Sequence, residues 1–455
     1  MKRGRRDGVN ARSGAKKALI IAYEFPPVGG IASVWRAKYV KFLPHFGWEP
    51  LVVSARDIPT NIPDRTLLAE LPPQLTVVRT FSLEPTRLVR FMKRLRAGGE
   101  DLEAADKEQG KVLFSYTGLP FDLVAKIKAF FIPDEKIGWF PFALAAALRL
   151  IREHSPQVIF SGSPPFTAHL VAMACKRITG LPWVCEFIDP WVDYTHFKPL
   201  SWFNKKADLI LERSIVRNAD AVIGAFPGIV EGFESRYGDV EKSRYKVITY
   251  GFDPADFTEE VTLRDGFTVT WIGSAFGGRS PRGLIEAVRR LLDQGRITPA
   301  DFRLSFVGTM DVGTLKAVKE AGIDEVVEMT GFVTYGESIR YMRSSHLLAL
   351  QLAEGRDSRM VYTGKMFEYF GSRRPILALA GEGATKTIIE ETGAGVVVEP
   401  SDVEGIADAL RYYLSRYRAG DGLWVDNPRL DEFDREKQTA GLAGILADVA
   451  RDLRS

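Results

Sequence analysis

Short apolar runs bounded by glycine and proline alternate along this chain with stretches whose apolar residues recur at helical spacing. The first run, residues 18–23 (Ala-Leu-Ile-Ile-Ala-Tyr), predicts a buried strand of a parallel sheet. A Pro/Gly loop over 24–30 and a helical pattern over 31–43 follow, and residues 51–54 predict a second strand. From 83 to 135 the pattern fixes no elements. Beyond that the spacing predicts helices over 141–153, 166–179 and 201–218, interleaved with strands over 157–160, 182–187, 221–225 and 245–249. Gly251, Pro254 and nearby acidic residues mark a boundary. A second alternation then places strands over 267–272, 302–307, 326–329, 347–352, 376–379 and 396–398, with helices over 281–292 and 385–392 and one opening at Gly364. Ser401 with Glu404 reads as a capping box for a helix running to Arg418, and 432–455 as a final helical segment. Two rounds of such alternation predict an α/β protein of two Rossmann-like parallel-sheet domains, whose ligands lie off the carboxyl ends of the strands. The expected division is a disordered basic tail over 1–17, domains over 18–250 and 251–425, and a helical segment over 426–455.

A length of 455 residues fits two domains, and 45% hydrophobic with 26% charged residues is ordinary for a soluble protein. The net charge of +3 is too small to imply nucleic acid. Much of the excess lies in the tail, where Lys2, Arg3, Arg5, Arg6, Arg12, Lys16 and Lys17 face only Asp7. That tail has no apolar core of a secretory signal, and no run is long and apolar enough to predict a transmembrane helix. Two cysteines, Cys175 and Cys185, without metal or redox spacing fit a reducing cytoplasm. Two stretches mix basic and apolar residues. Arg87, Arg90, Lys93, Arg94 and Arg96 interleave with Leu88, Val89, Phe91, Met92 and Leu95, and Lys126 and Lys128 sit among Leu123, Ile127 and Phe130. Such patterns suit an anionic membrane surface, which would place the protein peripherally at the inner face of the plasma membrane; the plainer alternative is helices packed on the first domain.

Lys365 and Glu368 stand three apart at the start of the helix that opens at Gly364, so they share one face. A helix N-terminus with a lysine suits phosphate, and a carboxylate one turn on can accept two hydrogen bonds from a sugar diol. Together they fit a sugar nucleotide; an i,i+3 ion pair on a surface helix is the alternative. The loop from Gly273 to Gly283 carries Arg279 and Arg282 between a strand end and a helix start, where guanidinium groups match a diphosphate. Gly29 and Gly30 allow close backbone approach at a helix start but form no GxGxxG fingerprint. Asp189, between a strand end and Pro190-Trp191, is the candidate for acid–base or acceptor work. Asp-x-Asp is missing from the sequence and the five histidines show no ligand spacing, so no metal cofactor is expected.

Taken together these stretches resemble the family-4 glycosyltransferases, retaining enzymes of the GT-B fold with two Rossmann-like domains facing a cleft. The landmarks are Phe25-Pro26-Pro27-Val28-Gly29-Gly30, Ser163-Pro164-Pro165-Phe166, Asp189-Pro190-Trp191, Gly251-Phe252-Asp253, Gly331-Phe332-Val333 and Lys365 through Pro375. The resemblance implies a nucleoside-diphosphate sugar in the C-terminal domain. Glu368 would take the ribose, Lys365 with Arg279 or Arg282 the diphosphate, and the Phe332–Val333 backbone would lie near the base. It further implies an acceptor in the N-terminal domain, with Gly29 and Gly30 on the cleft and Asp189 near the reacting centre. The implied activity is hexosyl transfer to a glycan or lipid-linked acceptor of surface-polysaccharide biosynthesis. Three positions depart from the pattern: Met360 where many members carry a glutamate, Tyr250 where asparagine is frequent, and Ile188 where arginine is common. A GT-B nucleotide-sugar epimerase and a non-catalytic sugar-nucleotide-binding scaffold are the rival readings.

Overall fold

A computed structural model describes residues 15–58, 64–84, 131–192, 202–273, 281–352 and 362–452. The first layer is a seven-stranded parallel sheet of β1 (Lys16–Ile21), β2 (Trp48–Ala55), β3 (Thr76–Thr80), β4 (Val158–Ser163), β5 (Trp183–Phe187), β6 (Ala221–Gly224) and β7 (Tyr245–Val247). Their spatial order is β3-β2-β1-β4-β5-β6-β7. Helices α1 (Ile31–Phe42), α2 (Phe140–His154), α3 (Thr167–Thr179), α4 (Trp202–Asn218) and α5 (Pro227–Arg236) belong to this half. The second is a six-stranded parallel sheet of β8 (Phe267–Ile272), β9 (Phe302–Val307), β10 (Val327–Gly331), β11 (Leu347–Gln351), β12 (Ile376–Leu379) and β13 (Gly395–Val398), in the order β10-β9-β8-β11-β12-β13. It carries α6 (Arg282–Asp293), α7 (Val312–Ala321), α8 (Tyr335–Ser344), α9 (Gly364–Ser372), α10 (Ala384–Thr392) and α11 (Val403–Arg418). Among the described residues no helix is long and apolar enough to cross a membrane.

The central strands are buried along most of their length, polar residues such as Ser161, Thr268 and Thr270 included, because helices cover both faces of each sheet. Leu19, Ile21, Leu51, Val52 and Ile159 in one sheet, and Phe267, Val269, Leu304 and Leu377 in the other, are fully buried. Strand order reverses at β1/β4 and again at β8/β11. At such switch points the loops leaving the carboxyl ends diverge to opposite faces and leave a crevice between them. The loop carrying Gly29 and Gly30, Gly273, and the segment entering α9 all leave the sheets there.

A last helix, α12 (Arg435–Asp452), packs on the first layer rather than the second. Leu442 and Leu446 are fully buried, and Trp48 Nε1 donates to the Ala443 carbonyl at 3.3 Å. Two local expectations change. β1 starts at Lys16, so Lys16 and Lys17 belong to the sheet and not to the tail; Lys17 donates its amide to Gln157 Oε1 at 2.9 Å and Lys16 lies over the Trp48 ring. Asp402 rather than Ser401 caps α11, accepting from the Gly405 amide at 2.9 Å, while Glu404 pairs with Arg411 and Arg290. The pattern also passes over β3, α5, α7 and α8. α8 buries only Ser338, Ile339 and Met342, too thin a stripe to stand out, although its Thr334–Glu337 capping box was legible as Thr-x-x-Glu.

Candidate functional site

α9 is set against the crevice by its own buried face. The Tyr369 hydroxyl accepts from the Ile272 amide at 3.0 Å and donates to the Ala349 carbonyl at 3.1 Å, so one side chain ties the helix to β8 and β11. Met366, Phe367 and Phe370 are buried beside it. What remains for the cleft is the first turn. No side chain among the described residues caps it; the Met366 amide donates to the Thr363 carbonyl at 3.1 Å, and the turn keeps the partial positive charge of a helix start. Lys365 Nζ meets Glu368 Oε2 at 2.8 Å; the lysine side chain is 26% exposed and the carboxylate side chain 8%. The ion pair of the plainer alternative is therefore present, though it lies at a domain interface rather than on an open surface.

The opposing wall is the start of α1. Gly30 has φ 111°, in the range that favours glycine, and it too leaves the helix without a side-chain cap. Ile31 packs so tightly on Gly364 that a side chain at 364 would collide with it. Two uncapped helix N-termini thus face one crevice, lined also by Trp35, Tyr250, Tyr335 and Glu368. Tyr250 meets Trp35 edge-on at 3.9 Å and lies near the Phe367 ring at 5.9 Å, an aromatic joint between the domains.

Asp189 is half-buried just past β5. Burial holds the Tyr250 hydroxyl well above its usual range, and the charges of Asp189 and Glu186 add to that shift, which places both carboxylates beside the joint. Glu186 was not singled out in the sequence. It is fully buried, and one oxygen accepts from Trp35 Nε1 at 3.1 Å and from the Tyr39 hydroxyl at 2.8 Å. Burial raises its carboxyl, against the pull of Arg36 and the two hydrogen bonds. Arg36 is itself buried and lies over Gly162, where any side chain would strike the guanidinium.

A second cluster also escaped the sequence reading. Lys38 Nζ lies 2.8 Å from Asp253 and 2.7 Å from Asp256 and also pairs with Glu70, while Lys41 reaches Asp253 at 2.5 Å and Glu70 at 3.0 Å. Burial alone would lower the Lys38 ammonium, but Asp256, Asp253 and Glu70 outweigh it and hold it above its ordinary value. Burial lifts Asp256 to about 6 even with Lys38 beside it. The three carboxylates are close enough together to hold a cation. In this arrangement the two lysine ammonium groups meet them. The Tyr335 hydroxyl donates to Asp256 at 2.8 Å and its amide to Asp64 at 2.8 Å, joining α8 to the cluster.

The other expected residues are less gathered. Gly273 ends β8 with φ 132° and donates its amide to the Val307 carbonyl at 2.9 Å. Arg282 opens α6 and is exposed, with no hydrogen bond or ion pair among the described residues. Phe332 is 46% exposed in the loop after β10, and Val333 is half-buried against the core. Arg279, Met360 and nearly all of the basic stretches over 83–135 lie outside the described residues.

Residues 86–251 match the family described as glycosyl transferase 4-like domain, and residues 266–416 that described as glycosyl transferases group 1. No curated protein matches the chain. Among solved structures, sucrose-phosphate synthase from Thermosynechococcus elongatus is similar at 15% identity and a TM-score of 0.59, over 96% of this chain and 99% of that one. WaaG, a glycosyltransferase involved in lipopolysaccharide biosynthesis, is similar at 14% and 0.59, over 94% and 99%. The S. aureus MnaA structure with UDP is similar at 13% and 0.50, over 94% of each chain. At such identities the likeness speaks for the fold.

Proposed function

Because the chain belongs to the family-4 glycosyltransferases of the GT-B fold, with a glycosyl transferase 4-like domain followed by a group 1 domain, we propose that it transfers a hexose from a nucleoside-diphosphate sugar to an acceptor hydroxyl with retention of configuration. The observation that carries this reading is the Lys365–Glu368 pair at the uncapped start of α9, facing the uncapped start of α1.

In this reading the diphosphate lies against the first turn of α9 and Lys365, with Arg282 and Arg279 as further cations. Glu368 exchanges its lysine contact for the ribose diol. Gly273 leaves room for the diphosphate at the end of β8, and the Phe332–Val333 backbone borders the base. As the bond from the anomeric carbon to the diphosphate breaks, negative charge grows on the leaving oxygen, and fixed cations and amides stabilise that charge without having to reorganise. The acceptor oxygen bonds to the same carbon and its proton passes to the departing phosphate. Gly29 and Gly30 face the cleft where the first domain holds the acceptor, and Asp189 orients that acceptor near the reacting centre. No metal cofactor is invoked. Support for a nucleotide-sugar donor comes from the UDP in the MnaA structure, and for a lipid-linked or surface-polysaccharide acceptor from the stated role of WaaG. Such a substrate places the enzyme in the cytoplasm at the inner face of the plasma membrane.

The test is incubation with a panel of sugar nucleotides while nucleoside diphosphate release is followed. Release that rises with added acceptor is expected. Sugar inversion without release would make the protein an epimerase, and binding without turnover a scaffold.

A further inference from the structure

On the first domain, α4 is buried only toward its C-terminal end, through Glu212, Ile215 and Val216. None of residues 202–211 is buried, and Trp202 at 74%, Phe203 at 65% and Ile210 at 60% stand among the most exposed large apolar residues described. Phe203, Lys206, Ile210 and Arg213 follow one another at intervals of three, four and three, which places them on one stripe, with Trp202 and Lys205 at its edge. Lys205, Lys206 and Arg213 are all exposed and make no hydrogen bond or ion pair among the described residues. Lys206 rests over the Trp202 ring at 5.1 Å. The acids of this helix point elsewhere: Asp208 is hydrogen-bonded to Trp191, and Glu212 accepts from the Val192 amide at 3.1 Å and the Tyr237 hydroxyl at 2.7 Å. The helix is thereby fastened to the segment that leaves Asp189.

We propose that this stripe seats on an anionic lipid bilayer. Aromatic and aliphatic residues interleaved with lysine and arginine, with no outward acid, match the chemistry of the headgroup layer, where rings enter the interface and cations meet lipid phosphate. A second copy is a poor occupant, because a two-fold contact through this stripe sets its lysines and arginine against themselves. Resting on the reading of a lipid-linked acceptor, the seat brings the Asp189 side of the cleft to the surface in which that acceptor is held.

The experiment is co-sedimentation of the full chain with vesicles of phosphatidylcholine alone or mixed with phosphatidylglycerol, at low and high salt. Two double variants accompany it, Trp202→Glu with Phe203→Glu and Lys205→Glu with Lys206→Glu. Binding to the mixed vesicles at low salt is expected, with about tenfold weaker partitioning in each variant and release by salt. Donor turnover with a water-soluble acceptor is expected to be unchanged in both, which also shows that they fold. A parent protein that stays in the supernatant, variants that bind like the parent, or equal binding to neutral vesicles would overturn the proposal. So would a concentration-dependent dimer that Trp202→Glu abolishes. If the parent transfers no sugar at all, the functional reading falls while the vesicle result still decides the surface.

Discussion

Glu368 lies almost wholly inside the protein, and its one recorded hydrogen bond among the described residues comes from Lys365, a neighbour one helical turn away. Replacing it with alanine is expected to cut turnover at least about 100-fold while circular dichroism stays unchanged, the loss typical of a site carboxylate. His169 makes a different prediction. Its Nδ1 lies 2.8 Å from Ser161 Oγ, a hydroxyl that also accepts from Trp183 Nε1, and its Nε2 is buried with no hydrogen-bond partner among the described residues. Burial and then the nearby Arg36 push the imidazole down to about 3. Below its ordinary value of 6.5 the unfolded chain takes up a proton that the folded chain refuses, so stability falls as pH drops from 6.5 toward 3 and is flat above. Urea unfolding at pH 7 and pH 4.5 is expected to show His169→Gln losing roughly 2 kcal/mol less than the parent. The two residues also mark what the sequence discloses. Lys365 and Glu368 are legible because helical spacing alone brings them together. Glu186 stays hidden because its partners Tyr39 and Trp35 are 147 and 151 residues away, a pairing only the folded sheet creates.

Among the elements, the strands were the most legible, since residues 18–21 of β1 and the whole of β12 are apolar and buried between covered faces. Helix ends were less so. At α11 two adjacent residues, Ser401 and Asp402, could both cap, and the geometry of the Gly405 amide decided between them. The element that matters most to the site, α9, shows the limit clearly. Its first turn was readable, but what aims it was not, because Tyr369 looks like any aromatic of an apolar helix until β8 and β11 are placed beneath it. Tyr369→Phe removes both hydrogen bonds and leaves the buried Ile272 amide without its partner. A loss of about 1–3 kcal/mol in urea unfolding is expected, together with a higher KM for the donor as the first turn drifts.

For the whole molecule, two parallel-sheet units were legible from the repeated alternation, whereas the contacts that join them were not. Lys38 meets Asp253 across 215 residues of sequence, and no local pattern announces a lysine buried among three acids. Lys38→Met leaves those carboxylates facing one another with only Lys41 between them. It is expected to cost about 3–5 kcal/mol, as breaking a buried ion pair does, and to raise the radius of gyration measured by X-ray scattering as the domains part. The return of α12 to the first layer has a consequence in time as well as in space. A ribosome makes the first sheet early, yet the helix that supplies Leu442, Leu446 and the Ala443 carbonyl to its core emerges only after the entire second domain. Throughout that interval the nascent first domain lacks the helix that covers Trp48 in the finished fold, and its sheet closes only when the chain's last segment arrives.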